Sequence, residues 1–128
     1  MYFLYRIIFL FLLIFSPLII FLRLLKGKEN SKRFKEKFCF FSKKSIPGKT
    51  IWIHGASVGE LQSVIPIIKK YEKNKNIKQI LVTSTTLSSS LIIQKYKFKK
   101  TVHQFFPFDL GFFSRKFLNF WKPSLSIF

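Results

Sequence analysis

The feature of this sequence that most constrains its fold is the alternation of two periodicities between residues 48 and 128. Short β-branched and aromatic runs, typical of buried strands, alternate with segments whose apolar residues recur at helical spacing. The four predicted strands are KTIWIHG, KQILVTST, VHQFFPFD and PSLSIF. Because strands that alternate with helices indicate a parallel sheet with helices packed on it, we expect an α/β domain.

Three helices are predicted between these strands. The first begins at Glu60 with apolar residues at helical spacing, although Pro66 in its interior argues against a regular helix. The second runs from residue 87 to residue 96, and serine and threonine residues favour its start. The third covers LGFFSRKFLNFW. No internal repeat is present, so the pattern predicts a single layered domain.

The first 25 residues are almost entirely apolar and form a separate segment. Only Arg6 and Arg23 carry charge, and the residues between them would span about 24 Å as a helix. This length is slightly short of a hydrocarbon core of about 30 Å, but the flanking aromatic residues extend the segment into the interface. A secretory signal peptide has a similar appearance. Since no small-residue cleavage site follows, we expect residues 1–25 to be an uncleaved membrane anchor.

A basic segment, residues 26–47, follows the apolar run directly. Positive charge at this position indicates the cytoplasmic face of the membrane. Four of its basic residues alternate with phenylalanines, so the segment is expected either to lie along anionic lipid or to be a solvated linker. These four residues are Lys32, Arg33, Lys35 and Lys37. Because Pro47-Gly48 marks a turn, we assign residues 48–128 to the α/β domain.

The net charge of the chain is +18, from 23 Lys and Arg against 5 Asp and Glu. Such an excess points to an anionic partner, which would be nucleic acid, acidic lipid or a phosphorylated substrate. An A/T-rich genome would produce the same excess of lysine without selection for any ligand. The single cysteine, Cys39, cannot form an internal disulfide, and no Cys/His cluster has metal-ligand spacing. We therefore expect a reduced compartment, no metal and no resident cofactor.

The strongest candidate site is the loop after the first predicted strand, within IWIHGASVGE. In open parallel sheets, ligands bind at the carboxyl ends of the strands, and the start of the following helix attracts anions. Ser57-Val58-Gly59-Glu60 also matches a capping box, in which Ser57 and Glu60 satisfy backbone N–H groups. From the residues alone, Glu60 is therefore either a helix cap or a catalytic base, with the cap favoured. His54 is more typical of a packed or hydrogen-bonded histidine than of an acid or base.

The sequence resembles the amino-terminal half of the bacterial 3-deoxy-D-manno-octulosonic acid (Kdo) transferases of lipopolysaccharide synthesis. The matching pieces follow one another along the whole chain. They are the apolar leader with its central proline, KRFKEKF at 32–38, SVGE at 57–60, VTSTT at 82–86, HQFFPFD at 103–109 and Lys122-Pro123. SVGE alone is a weak signal, whereas the combination in this order is fairly specific.

This resemblance implies an incomplete Rossmann-like amino-terminal domain of a two-domain glycosyltransferase of the GT-B type. The implied reaction passes Kdo from CMP-Kdo to a phosphorylated lipid A precursor at the cytoplasmic face of the inner membrane. Glu60 is implied as the general base, since a carboxylate within hydrogen-bond reach can take the proton of a sugar hydroxyl. Six further residues are weaker candidates for contact with the lipid acceptor. These are Ser57, Gly59, Lys32, Arg33, Lys35 and Lys37.

The chain departs from the family pattern at a few positions. The family usually has glycine where this chain has Lys35, Cys39 and Ser89, so the resemblance implies the fold but not the local turns at these positions. The chain also ends before the acidic Glu-x-Glu segment of the family and lacks the domain that binds the CMP-sugar. We therefore expect these 128 residues to be the front part of something larger and to be inactive alone.

Two other interpretations compete with the enzyme. One is a non-enzymatic membrane-anchored fragment, and the other is a basic membrane protein that binds nucleic acid. Arginine is scarce, and no module that enters a groove or stacks on bases is recognisable, so we expect no specific nucleic-acid partner.

Overall fold

The computed structural model describes residues 2–27 and 31–128, and the chain divides into two compact units, 1–31 and 32–128. The first unit contains helix α1, Tyr2–Leu25, which continues through Pro17. Gly27 follows in the left-handed conformation, with φ 64°, that commonly ends a helix. At 1.5 Å per residue the helix is about 36 Å long. By length and composition it is therefore able to cross a membrane.

The second unit is a parallel β-sheet with helices on both faces, which confirms the predicted α/β class. Its strands are β1 (Thr50–His54), β2 (Gln79–Ser84), β3 (Thr101–Phe105) and β4 (Leu125–Ile127). Its helices are α2 (Val58–Glu72), α3 (Leu87–Lys95) and α4 (Gly111–Trp121). The strand order is β3-β2-β1-β4, and every pairing is parallel.

The structure differs from the sequence-based expectations at two prolines. Helix α2 is continuous through Pro66, because Pro66 and Gln62 both lie on the exposed face. The carbonyl of Gln62, which the missing N–H of Pro66 leaves without a helical partner, can therefore be hydrated. Strand β3 ends at Phe105, earlier than predicted, since Pro107 has no N–H group to continue the ladder.

The alternation of side chains along each strand separates two apolar cores. On one face, Ile51 and Ile53 of β1 pack with α2 and α3. On the other face, Trp52 packs with Phe117 and Trp121 of α4. Because successive strand residues point to opposite faces, a single run such as Thr50–His54 serves both cores. This explains why the strand sequences are apolar throughout rather than alternating.

The order of the strands places the loop after β1 at a switch point. The chain moves from β1 to β2 and β3 on one side, and then returns to add β4 on the other side of β1. In open parallel sheets such a reversal leaves a crevice outside the carboxyl ends of the strands, where ligands bind. The loop between His54 and α2 borders this crevice.

Residues 32–47, which the sequence pattern assigned to a juxtamembrane segment, belong to the same compact unit as the sheet. A short 3₁₀ helix, Phe34–Phe38, lies against the outer edge of β3. There Glu36 Oε2 accepts a hydrogen bond from Phe105 N at 2.9 Å, and Arg33 Nη2 donates to His103 O at 2.7 Å. These side chains satisfy backbone groups of an edge strand that would otherwise be open to pairing with another chain.

Candidate functional site

The loop between β1 and α2 is held by two hydrogen bonds. Gly55 N donates to Thr83 O at 3.0 Å, and Thr85 Oγ1 donates to Ala56 O at 3.1 Å. Both partners come from the end of β2, the strand beside β1. The backbone that leads into α2 is therefore fixed by the sheet itself, and the start of the helix has a defined position at the crevice.

Glu60 closes a variant of the predicted capping box. Glu60 N donates to Ser57 Oγ at 3.2 Å, and Glu60 Oε2 accepts from Ala56 N at 2.8 Å. The Glu60 side chain thus accepts from the residue before the cap, Ala56. In the usual capping box this side chain accepts from the N–H group of the cap residue itself. The cap interpretation of Ser57 and Glu60 is correct as a description of the local geometry, and the cap holds the carboxylate at the start of α2, beside the carboxyl end of β1.

The Glu60 carboxylate is exposed and ionised at neutral pH. Its pKa is lowered first by the N–H of Ala56 and next by the hydroxyl of Ser57, with a smaller contribution from His54. The carboxylate is also accessible to a molecule bound at the surface, since Glu60 is exposed. An exposed, ionised carboxylate that is held in place is suited to accept a proton from a bound hydroxyl group.

The two glycines of this loop have different environments. A Cβ atom added at Gly55 would lie 2.5 Å from Leu61 Cδ2, whereas one added at Gly59 would meet nothing within 4 Å. Gly55 is therefore required for the packing of the loop on α2. Gly59 was predicted to contact the lipid acceptor. Because it has no side chain, it leaves space at the first turn of α2, beside Ser57 and Glu60.

His54 lies at the end of β1 and is joined to Thr83. Its Nδ1 atom is 2.9 Å from Thr83 Oγ1, and Trp52 Nε1 donates to the same hydroxyl at 2.9 Å. Burial lowers the pKa of His54, and the Glu60 carboxylate partly offsets this effect. The sequence had indicated a hydrogen-bonded histidine but had not identified Thr83. The feature that could have identified Thr83 is its position at the end of the strand next to β1.

The basic candidates lie elsewhere on the sheet. Arg33 is at the outer edge of β3, and β2 separates β3 from β1, so about 10 Å of sheet lies between Arg33 and the loop. Lys32 and Lys35 are exposed, and Lys37 Nζ lies over the Phe105 ring at 5.7 Å. The structure therefore brings Ser57 and Gly59 together with Glu60, but it places the four basic residues in a separate segment.

Arg33 is the centre of a buried polar network. Its Nε and Nη2 atoms donate to Glu36 Oε1 and Oε2 at 2.7 and 2.9 Å, and Ser42 Oγ also donates to Glu36. Arg33 Nη2 lies 3.1 Å from His103 Nδ1, and His103 Nε2 lies 2.8 Å from Ser84 Oγ. Burial, followed by the charge of Arg33, lowers the pKa of His103 to about 3, so this histidine is neutral. Arg33 thus has a structural role that the sequence did not reveal.

Within the described part of the chain, residues 2–27 and 31–128, no group of three or more His, Cys, Asp and Glu side chains is placed to hold a metal ion. Cys39 is buried, and its Sγ atom donates to Phe113 O at 3.2 Å. Burial raises the pKa of this thiol, which makes it a poor nucleophile.

These features define an α/β domain with a polar site at the switch point of a parallel sheet. Residues 32–128 match the family described as 3-deoxy-D-manno-octulosonic-acid transferase (kdotransferase), and the match covers most of the chain. The chain belongs to this family.

Curated relatives agree with the family match. The chain is 42% identical to the 3-deoxy-D-manno-octulosonic acid transferase of Rickettsia bellii over 86% of this chain and 26% of the relative. It is 32% identical to the transferase of the same name from Haemophilus influenzae, over 91% of this chain and 28% of the relative. The chain thus spans about a quarter of the length of these curated relatives. No solved structure matches the chain.

Proposed function

We propose that this chain forms the acceptor-side domain of a glycosyltransferase that transfers Kdo from CMP-Kdo to a lipid A precursor. Family membership supports the transfer of Kdo in lipopolysaccharide synthesis. The observation that carries the proposal for this chain is the position of Glu60. Its ionised, exposed carboxylate is held at the start of α2, beside the crevice at the carboxyl end of β1.

In the proposed reaction Glu60 is the general base. A hydroxyl of the lipid acceptor gives its proton to Glu60, and its oxygen forms the new bond to Kdo. The bond between Kdo and the phosphate of CMP breaks at the same time, and CMP leaves with the electron pair. The capping bond from Ala56 N holds the carboxylate in place, and the exposed carboxylate takes the proton. The cap and the base are therefore compatible roles of one side chain.

The remaining parts of the proposal concern domains and membrane. The relatives are much longer than this chain, and we assign the binding of CMP-Kdo to a second domain of the GT-B type. Helix α1 is the proposed anchor at the cytoplasmic face of the inner membrane. The exposed Lys32 and Lys35 are proposed to contact phosphate groups of anionic lipid or of the acceptor. Arg33 is not included, since its guanidinium group is bonded within the domain.

A chimera tests the proposed function. Residues 1–128 replace the matching segment of the Rickettsia bellii relative, and Kdo transfer is measured with CMP-Kdo and a lipid A precursor in membranes. We expect the chimera to transfer Kdo, and the 128-residue chain alone to give no turnover. A folded, membrane-bound chimera without activity would contradict the proposal for this chain. Turnover by the isolated chain would contradict the assignment of the donor site to a second domain.

A further inference from the structure

Three side chains on one face of the sheet form a hydrogen-bonded relay that leads to the crevice. Trp52 and His54 are two residues apart on β1, and His54 is the register partner of Thr83 on β2. Both rings reach the same hydroxyl, because Trp52 Nε1 and His54 Nδ1 each lie 2.9 Å from Thr83 Oγ1. Thr83 is fully buried, so its hydroxyl has little access to water.

The donors and acceptors of this relay determine where the proton of His54 resides. An indole N–H can only donate, so Trp52 uses one lone pair of the Thr83 hydroxyl. The hydroxyl has a single hydrogen, and within residues 2–27 and 31–128 its remaining hydrogen-bond partner is His54 Nδ1. If Nδ1 carried the proton, the buried Thr83 O–H would have no acceptor, which is costly. The Thr83 hydroxyl therefore donates to Nδ1, and neutral His54 carries its proton on Nε2.

The second nitrogen of the ring, Nε2, belongs to a side chain at the carboxyl end of β1. The His54 ring contacts the ring of Phe106, with 4.5 Å between centroids, and that of Phe128 at 6.0 Å. His54 is only half-buried, and its Nε2 has no protein hydrogen-bond partner in the described part of the chain. Glu60 lies in the first turn of α2, just beyond the loop that follows His54, and its charge acts on His54. The site thus presents a fixed N–H donor at the end of β1 and an exposed carboxylate at the start of α2.

We propose that Trp52 and Thr83 fix His54 as a neutral hydrogen-bond donor, and that its Nε2–H binds an oxygen atom of the substrate next to Glu60. The role in substrate binding rests on the proposed function, whereas the position of the proton does not. His54 acts here as a binding group that orients the substrate toward Glu60, and Trp52 and Thr83 are positioning residues. Hydroxyl, carboxylate and phosphate oxygens are all suitable acceptors for such a donor.

The position of the proton is tested by nitrogen-15 NMR of the full chain in detergent micelles near neutral pH. We expect couplings that place the proton of His54 on Nε2 in the native chain. In Thr83→Val the fixed tautomer is lost, and in Thr83→Ser, which keeps the hydroxyl, it is retained. Amide spectra of both variants check the fold. A native His54 with its proton on Nδ1, or a tautomer unchanged in Thr83→Val, would overturn the inference.

The role of the donor is tested in the chimera with two substitutions at His54. The amide nitrogen of glutamine replaces Nε2, whereas that of asparagine lies near Nδ1. We expect His54→Gln to transfer Kdo at least about tenfold faster than His54→Asn, because only the former keeps a donor at the crevice. Equal rates for the two variants would refute the donor role. A native chimera that fails to transfer Kdo would contradict the proposed function alone, since the NMR measurement does not depend on turnover.

Discussion

Replacement of Gln104 by methionine is expected to stabilise the α/β unit, although the substitution removes a buried polar side chain. Gln104 lies on β3 and is fully buried, and neither its Oε1 nor its Nε2 atom has a hydrogen-bond partner in the described part of the chain. A buried amide without partners costs about 1–3 kcal/mol relative to an apolar group of the same shape. Methionine has a similar length, and a swap of similar volume usually costs less than about 1.5 kcal/mol. The net gain is expected to be about 1 kcal/mol.

Gln79 provides a matched control on the same face of the sheet. It is also fully buried, but its Nε2 donates to Lys44 O at 2.8 Å and its Oε1 accepts from Ile46 N at 3.0 Å. Gln79→Met removes both bonds and leaves two backbone groups without their partner. We expect this variant to lose about 1–3 kcal/mol of stability. The two substitutions are chemically identical. If their changes in unfolding free energy have opposite signs, the difference is therefore due to hydrogen bonding.

Urea unfolding in micelles, followed by tryptophan fluorescence, measures both variants. Trp52 of β1 and Trp121 of α4 are buried in the core between α4 and the sheet, so their emission reports on the packing of this unit. The expected result is a higher urea midpoint for Gln104→Met and a lower one for Gln79→Met, at an unchanged slope. Equal destabilisation by the two substitutions would refute the reasoning, because it would show that the amide of Gln104 is satisfied in the native state.

Three further predictions follow from the described contacts. The pKa of His103 is lowered to about 3 in the folded state, so its contribution to stability is complete above the unfolded pKa of about 6.5 and is lost as pH falls toward 3. Urea midpoints between pH 4 and 7 are therefore expected to fall less steeply with acidification in His103→Gln than in the native chain, and parallel curves would contradict this. Cys39 has φ 56°, a left-handed conformation that glycine adopts freely and β-branched residues avoid. Cys39→Val is expected to lose about 1–3 kcal/mol and Cys39→Gly much less, which urea titration checks. Gly55→Ala is expected to lower the melting temperature through contact with Leu61, whereas Gly59→Ala leaves it nearly unchanged. Similar losses in both glycine variants would show that the crowding at Gly55 is not the cause.

Periodicity was sufficient to predict the layers of the fold. Ile51 and Ile53 alternate with Trp52, and this apolar run predicted a strand buried on both faces, as the two cores confirm. The α/β class followed from such runs alone. The capping box was also predictable, because Ser57 and Glu60 are three residues apart and interact locally.

Contacts between residues distant in sequence were not predictable from pattern. Arg33 and His103 are 70 residues apart, and nothing in either segment indicates that a basic run pairs with a strand edge. For the same reason the boundary at residue 48 did not anticipate that residues 32–47 pack with the sheet. The relay from Trp52 to His54 depends on the register of β1 and β2, which the sequence does not specify. Hydrogen bonds between residues distant in sequence produce no periodic pattern from which they could be predicted.

The role of Glu60 is tested most directly by comparing Glu60→Gln with Ser57→Ala in the chimera, with Kdo transfer and melting temperature measured on the same samples. Glutamine can still accept a hydrogen bond from Ala56 N, but it cannot take a proton from the acceptor hydroxyl. For a general base we expect Glu60→Gln to lose about 10²–10⁴-fold in turnover with little change in melting temperature. Ser57→Ala, which removes the cap, is expected to lower the melting temperature and to lose less turnover than Glu60→Gln. Retained turnover with lost stability in Glu60→Gln would contradict the account and leave Glu60 a helix cap.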